Sequence, residues 1–182
     1  EIRLHPGVDI DVPEGTEIKF FSNEGIVVYR GRSDDYGRLV IVRTQINETT
    51  YLYTLYAHLK EGSIRKRIGD KVNKGEVIAL VGSTGTIKPH LHLEALITSR
   101  LIEPSTDIRA YSKYVGLLHH KDLFLAPSKY GLREAVEILK KHPGLPGVLI
   151  NPLNLKEESN VKSPNASSSP VGAVVGAQRL LN

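Results

Sequence analysis

Three short histidine motifs carry the side chains with the most chemistry in this chain: His5-Pro6-Gly7-Val8-Asp9, Tyr56-Ala57-His58-Leu59 and His90-Leu91-His92-Leu93-Glu94. Together they offer four imidazoles and a carboxylate before Glu94 is considered. A catalytic zinc takes three protein ligands from His and Asp/Glu and leaves one position open for water, so this set suffices with two groups to spare. Side chains alternate across a strand, which sets His90 and His92 on one face and Leu91 on the other. The same period sets His5 and Asp9 on one face if that segment is extended. Spacing alone leaves open which of His90 and His92 would bind metal. A single histidine on a strand, such as His58, is most often structural; the weight lies in the combination.

The elements that must position these residues read as strands up to about residue 97. Glu17–Phe21 ends at the turn Ser22-Asn23-Glu24-Gly25, and Gly25–Arg30 and Arg38–Arg43 follow as strands. Thr49–His58 alternates, with Tyr51, Tyr53, Leu55 and Ala57 on one face. Gly69-Asp70, Asn73-Lys74-Gly75 and Gly82-Ser83-Thr84-Gly85 are turn sequences around the unbroken apolar run Val77–Val81, which reads as a buried strand. His90–Ile97 is the last strand of this block. Beyond it the period changes to helical. Residues 107–120 place Ile108, Tyr111, Val115 and Leu118 on one stripe. Ser128 is the expected N-cap of a helix to about Lys141, with its stripe at Leu132, Ala135, Val136, Ile138 and Leu139. His142-Pro143-Gly144 stops that helix, and residues 145–155 read as extended. The Ser/Asn-rich stretch 156–182 has the composition of a disordered tail.

Composition narrows the rest. A chain of 182 residues with 40% hydrophobic content can bury a substantial core. The absence of cysteine excludes disulfides and thiolate metal sites, so a metal here must be held by nitrogen and oxygen. The net charge of +4 is mildly basic and suits an anionic surface such as a cell wall or nucleic acid, without favouring either. No apolar run approaches the ~20 residues of a membrane-spanning helix. His119-His120 diverge on a segment without a matching carboxylate and read as non-ligands, and His142 reads as a helix end. For Glu94, on the strand face of His92, orienting a ligand and a solvated charge both remain open; it is not counted among the site residues.

The ordered set of motifs resembles the lysostaphin-type zinc endopeptidases of peptidoglycan. The likeness spans residues 4–97 and includes Gly15-Thr16, Tyr36-Gly37, Gly69–Gly75 and Gly82–Gly85 between the histidine motifs. It implies a mainly β, compact antiparallel metallopeptidase domain with a helical insertion near the C-terminus, α+β overall. It further implies one zinc per chain held by His5, Asp9 and His92, with His58 and His90 as the catalytic imidazoles. Asn151-Pro152-Leu153 resembles the segment that closes the family's domain. The expected division is therefore a domain over 1–155, with a β core at 1–97, a helical insertion at 98–149 and a return at 150–155, followed by the tail. The expected substrate is peptidoglycan peptide, cleaved in stems or cross-bridges in the cell envelope or outside the cell. No nucleic-acid partner is expected, and residues 98–149 offer a surface for a protein partner. The insertion is expected to contribute no ligand and no chemistry. The alternative is a non-catalytic module of the same fold that binds wall or activates a hydrolase. Two positions depart from the family pattern: Lys88 stands where a glycine is common and Arg43 where a histidine is. Gly69–Ala79 also resembles half of a biotinyl carrier, but the next turn lacks the lysine such carriers need.

Overall fold

A computed structural model describes residues 5–126 and 129–156. The polar stretch 157–182 and the expected N-cap Ser128 lie outside the described residues. Long alternating segments form the centre of a sheet. Strands β3 (Glu24–Ser33), β4 (Gly37–Asn47) and β5 (Thr50–Ala57) make two consecutive hairpins. At the first hairpin Gly37 has φ +60°, and a Cβ there would lie 2.0 Å from the carbonyl oxygen of Thr84. Only glycine lets the loop after residue 82 press against the start of β4.

Strand β8 (Leu91–Thr98) pairs antiparallel with β5, and every residue in it is buried. Its other edge carries two short strands end to end: β1 (Val8–Ile10) along Leu91–Leu93 and β10 (Val148–Ile150) along Ala95–Ile97. Strand β6 (Lys71–Asn73) completes the far edge beside β3, and β9 (Phe124–Leu125) pairs with β10 in the sheet's one parallel contact among the described residues. A second, two-stranded sheet joins β2 (Glu17–Lys19) to β7 (Val77–Leu80). The architecture is mainly β and antiparallel, with two α-helices after Thr98 among the described residues.

Alternation along β8 divides the core. Leu91 and Leu93 face a cluster with Phe20, Val42, Tyr56, Ile78 and Val81, which the small sheet covers. Leu96, on the opposite face with His92 and Glu94, joins a cluster with Leu39, Ile41, Tyr53 and Leu55. Helix α1 (Arg109–Leu118) covers that second face with Ala110, Tyr114 and Leu118. This stripe differs from the expected one. Tyr111 and Val115 are only half-buried, and Ile108 is exposed. The helix turns this way because the Tyr114 hydroxyl has a partner inside, as a buried tyrosine requires.

Helix α2 (Leu132–Lys141) buries Ala135, Val136 and Leu139 against Leu52, Ala95, Ile97 and β10. It begins at Gly131, later than expected, where Glu134 Oε2 accepts the Gly131 N–H at 3.0 Å. Residues Pro152–Lys156 form a short 3-10 helix where an extended segment was expected; Asn151 Oδ1 accepts the Leu153 N–H at 2.9 Å and turns the chain.

Candidate metal centre

Strand register lines up the site. Asp9 of β1 and Ala57 of β5 stand opposite His92 on its two sides, and Leu55 stands opposite Glu94. Directly opposed residues on neighbouring strands lie within side-chain reach of each other. His5 and His58 arrive by other means. Residue 5 precedes β1, so strand alternation does not apply to it. A bend at Pro6-Gly7 brings the ring back, with Nδ1 2.9 Å from the Gly7 carbonyl oxygen and Nε2 3.4 Å from Asp9 Oδ1. Gly7 permits the bend, since a Cβ there would lie 2.4 Å from the Leu93 carbonyl oxygen. His58 sits just past β5 with φ +56° and is the sole non-glycine residue with positive φ among the described residues. Its N–H donates to the Tyr36 carbonyl at 2.8 Å, and its carbonyl accepts the Gly82 N–H at 3.0 Å. Two loops thus hold a backbone conformation that costs of order 1–3 kcal/mol, a feature that clusters at functional sites.

His92 is the hub. Its Nδ1 lies 2.9 Å from Asp9 Oδ1, and its Nε2 lies 2.8 Å from Glu94 Oε1. Glu94 is fully buried and also accepts the hydroxyls of Tyr36 at 2.7 Å (Oε1) and Tyr114 at 2.8 Å (Oε2). His90 Nε2 lies 3.6 Å from Asp9 Oδ1, and its ring centroid is 4.7 Å from that of His58. The structure therefore gathers His5, Asp9, His58, His90 and His92 in one place. His119 and His120 are exposed; the His120 Nδ1 accepts the Asp122 N–H at 3.1 Å.

Burial opposes charge on the His92 ring, but the hydrogen bonds and negative charge of Glu94, and then of Asp9, outweigh it and hold its pKa above the ordinary histidine value. Burial pushes the other way on Asp9 too, yet the His92 hydrogen bond and the charges of His5, His92 and His90 leave its pKa below the usual carboxylate value. His58 is held below the ordinary value, first by burial and then by the neighbouring His90 and His92 charges, against the opposing pull of its bond to Thr84. Burial and the Glu94 carboxylate push Tyr36 and Tyr114 up, so both remain hydroxyl donors.

The donor atoms fit a metal. A neutral imidazole has one N–H, and a carbonyl or carboxylate oxygen accepts it. Glu94 takes the N–H of His92 at Nε2, and the Gly7 carbonyl takes that of His5 at Nδ1. In those tautomers the lone pairs of His92 Nδ1 and His5 Nε2 both face Asp9 Oδ1, an arrangement suited to a cation among them; with no cation there, a proton on His92 Nδ1 makes the hydrogen bond to Asp9. The ligand atoms of His5, Asp9 and His92 all lie within 4.8 Å of one another. Two imidazole nitrogens and one carboxylate oxygen form a donor set suited to zinc.

Sequence reasoning set Glu94 aside and did not single out Tyr36 or Tyr114 as site residues. The shared strand face of His92 and Glu94 was the available signal for the first. For Tyr114 the signal was the i, i+4, i+8 series Ala110, Tyr114, Leu118.

Residues 3–104 match the model of Peptidase family M23, and the chain belongs to that family. It is 40% identical over 103 residues to the DD-carboxypeptidase/endopeptidase Mpg of Neisseria meningitidis serogroup B, covering 56% of this chain and 22% of that protein. It is 35% identical over 100 residues to the peptidoglycan DD-endopeptidase ShyA of Vibrio cholerae, covering 54% of this chain and 22% of that protein. The chain thus spans about a fifth of the length of these curated relatives. Among solved structures, the catalytic domain of lysostaphin from Staphylococcus simulans aligns with a TM-score of 0.46 at 28% identity, covering 60% of this chain and 80% of that one.

Proposed function

We propose that this chain is a zinc-dependent endopeptidase that hydrolyses peptide bonds in peptidoglycan stems or cross-bridges, in the cell envelope or outside the cell. His5, Asp9 and His92 hold one zinc ion, and His58 and His90 are the catalytic imidazoles. The observation that carries this reading is the convergence of His5 Nε2, His92 Nδ1 and the Asp9 carboxylate, with the outer nitrogen of each ring already engaged. The relatives Mpg and ShyA, named for endopeptidase action, support the substrate class. No helix among the described residues is long and apolar enough to cross a membrane.

Zinc bound there supplies Lewis acidity, which makes water a competent nucleophile near neutral pH and polarises a carbonyl. The proton chemistry belongs to the protein. His58 is held by the Thr84 carbonyl at Nδ1 (2.8 Å), and His90 by the Lys88 carbonyl at Nδ1 (2.9 Å). Each therefore presents the lone pair of Nε2. Such a nitrogen takes a proton from the attacking water and, once protonated, donates to the oxyanion or returns the proton to the departing amine. Hydrolysis then balances: hydroxide adds to the carbonyl carbon, the C–N bond breaks, and the proton ends on the new amine. Asp9 stays ionised, and its charge pulls His58 toward the charged form against the larger effect of burial.

The test is mass spectrometry of peptides released from purified peptidoglycan by the zinc-loaded protein. New amine and carboxyl termini at a single type of stem or cross-bridge bond are expected. Wall binding without released peptide, from a protein shown to carry zinc, would replace this reading with that of a binding module.

A further inference from the structure

Tyr114 lies on α1, beyond residue 104, where the family match ends. It is fully buried, and its hydroxyl donates to Glu94 Oε2 at 2.8 Å. Glu94 is equally buried, and its other oxygen faces His92 Nε2 at 2.8 Å. Helix α1 is thereby connected to the proposed metal ligand through one carboxylate. We infer that Tyr114 is a positioning residue: through Glu94 it fixes the orientation and the N–H tautomer of His92, so that Nδ1 faces the metal. This inference rests on the zinc-ligand role proposed above for His92, and it gives the insertion a positioning contact while assigning it no ligand and no chemistry.

Two observations and one principle support the relay. A buried carboxylate needs hydrogen bonds to stay in place, and removing one leaves an unsatisfied acceptor. Here the two oxygens have different duties. Oε1 is shared by His92 and the Tyr36 hydroxyl, whereas Oε2 accepts the Tyr114 hydroxyl. Without the Tyr114 hydroxyl, Oε2 loses this donor and the carboxylate is restrained through Oε1 by His92 and Tyr36. The tyrosine itself is fixed from both sides, with Tyr53 at a ring-centroid distance of 6.3 Å and the apolar cluster of Leu39, Ile41 and Leu55 around it. Groups that hold the outer nitrogen of a ligating histidine typically matter 10–100-fold for metal affinity. Tyr114 acts one bond further out, which points to the lower end of that range.

The experiment measures zinc dissociation constants by chelator competition, with melting curves of the zinc-free proteins. The samples are wild type, Tyr114→Phe, Glu94→Gln, the double variant and Tyr53→Phe. Tyr53 is the control for a merely structural role, because its buried hydroxyl bonds the Ile102 N–H and the Arg100 carbonyl and does not touch Glu94. Tyr114→Phe is expected to weaken zinc binding about tenfold, and Glu94→Gln at least as much. The double variant is expected to be little worse than Glu94→Gln alone, since both act on one relay. Tyr53→Phe is expected to bind zinc like wild type even where it lowers the melting temperature. A Tyr114→Phe protein with wild-type affinity overturns the inference, as does an equal loss in Tyr53→Phe. Should Tyr114→Phe not fold, Glu94→Gln decides: wild-type affinity there overturns the relay. A wild-type protein that binds no zinc overturns the metal reading itself, which these variants do not imitate.

Discussion

The two sides of the His92 ring sit in different surroundings. On the Nδ1 side the partners are open to solvent: the side chains of His5 and Asp9 are 56% and 46% exposed, and they are brought in by a bend and a three-residue strand. On the Nε2 side Glu94 and Tyr114 are fully buried, held by β8 and α1. One half of the site is open to water and ligand exchange, and the other is a fixed support. In the proposed site, register brings the partners to His92, and the buried side is the support that would set which nitrogen it presents.

The largest effects should come from the two proposed catalytic imidazoles, buried His58 and half-buried His90. His58→Ala and His90→Ala are each expected to retain zinc and lose turnover by roughly 10²-fold or more, since each presents Nε2 for proton transfer. Metal content and rate must be read on the same samples; loss of zinc from His90→Ala with its retention in His92→Ala would reverse the two roles. A smaller effect separates the halves in the zinc-free protein. His92→Ala strips the buried Glu94 of a hydrogen bond and should lower stability by about 1–3 kcal/mol. His5→Ala, on the exposed side, should change it by roughly 0.5 kcal/mol or less. Equal melting shifts would erase the distinction drawn between the two sides.

The mildest expectation concerns pH. His58 is kept neutral by burial and by its histidine neighbours, so its pKa lies below the ordinary value of about 6.5. A group that works as the neutral base loses activity as pH falls through its own pKa. The acid limb of kcat/KM should therefore lie below about 6.5 while bound zinc stays constant. An acid limb above that value would assign the limb to another group.

Most strands and the position of the helices were legible in the sequence, because alternation and the 3.6-residue period survive in single segments. Val77–Val81 and the stripe of α2 are cases in point. The gathering of Asp9 and His92 was legible only through the resemblance of the ordered motifs, because alternation within one strand does not report which strands pair. The way His5 and His58 reach the site was not: a bend at Gly7 and a left-handed residue at 58 depend on close approach to β8 and to the Gly82–Thr84 loop, which no local pattern reports. Glu94 looked ambiguous because burial of a charge is decided by what covers it, and that cover is a helix about 20 residues later. Tyr114 escaped notice because Ile108 and Tyr111 make an equally regular stripe. The hydroxyl's partner, not hydrophobicity, settled which stripe turns inward.

The central claim is that His5, Asp9 and His92 form one metal site. Its most direct test is the zinc content of the purified wild-type chain and of the His92→Ala variant, each checked for folding by circular dichroism. One zinc per wild-type chain and a sharp loss in His92→Ala is the predicted result. Full zinc occupancy in a folded His92→Ala protein would contradict it.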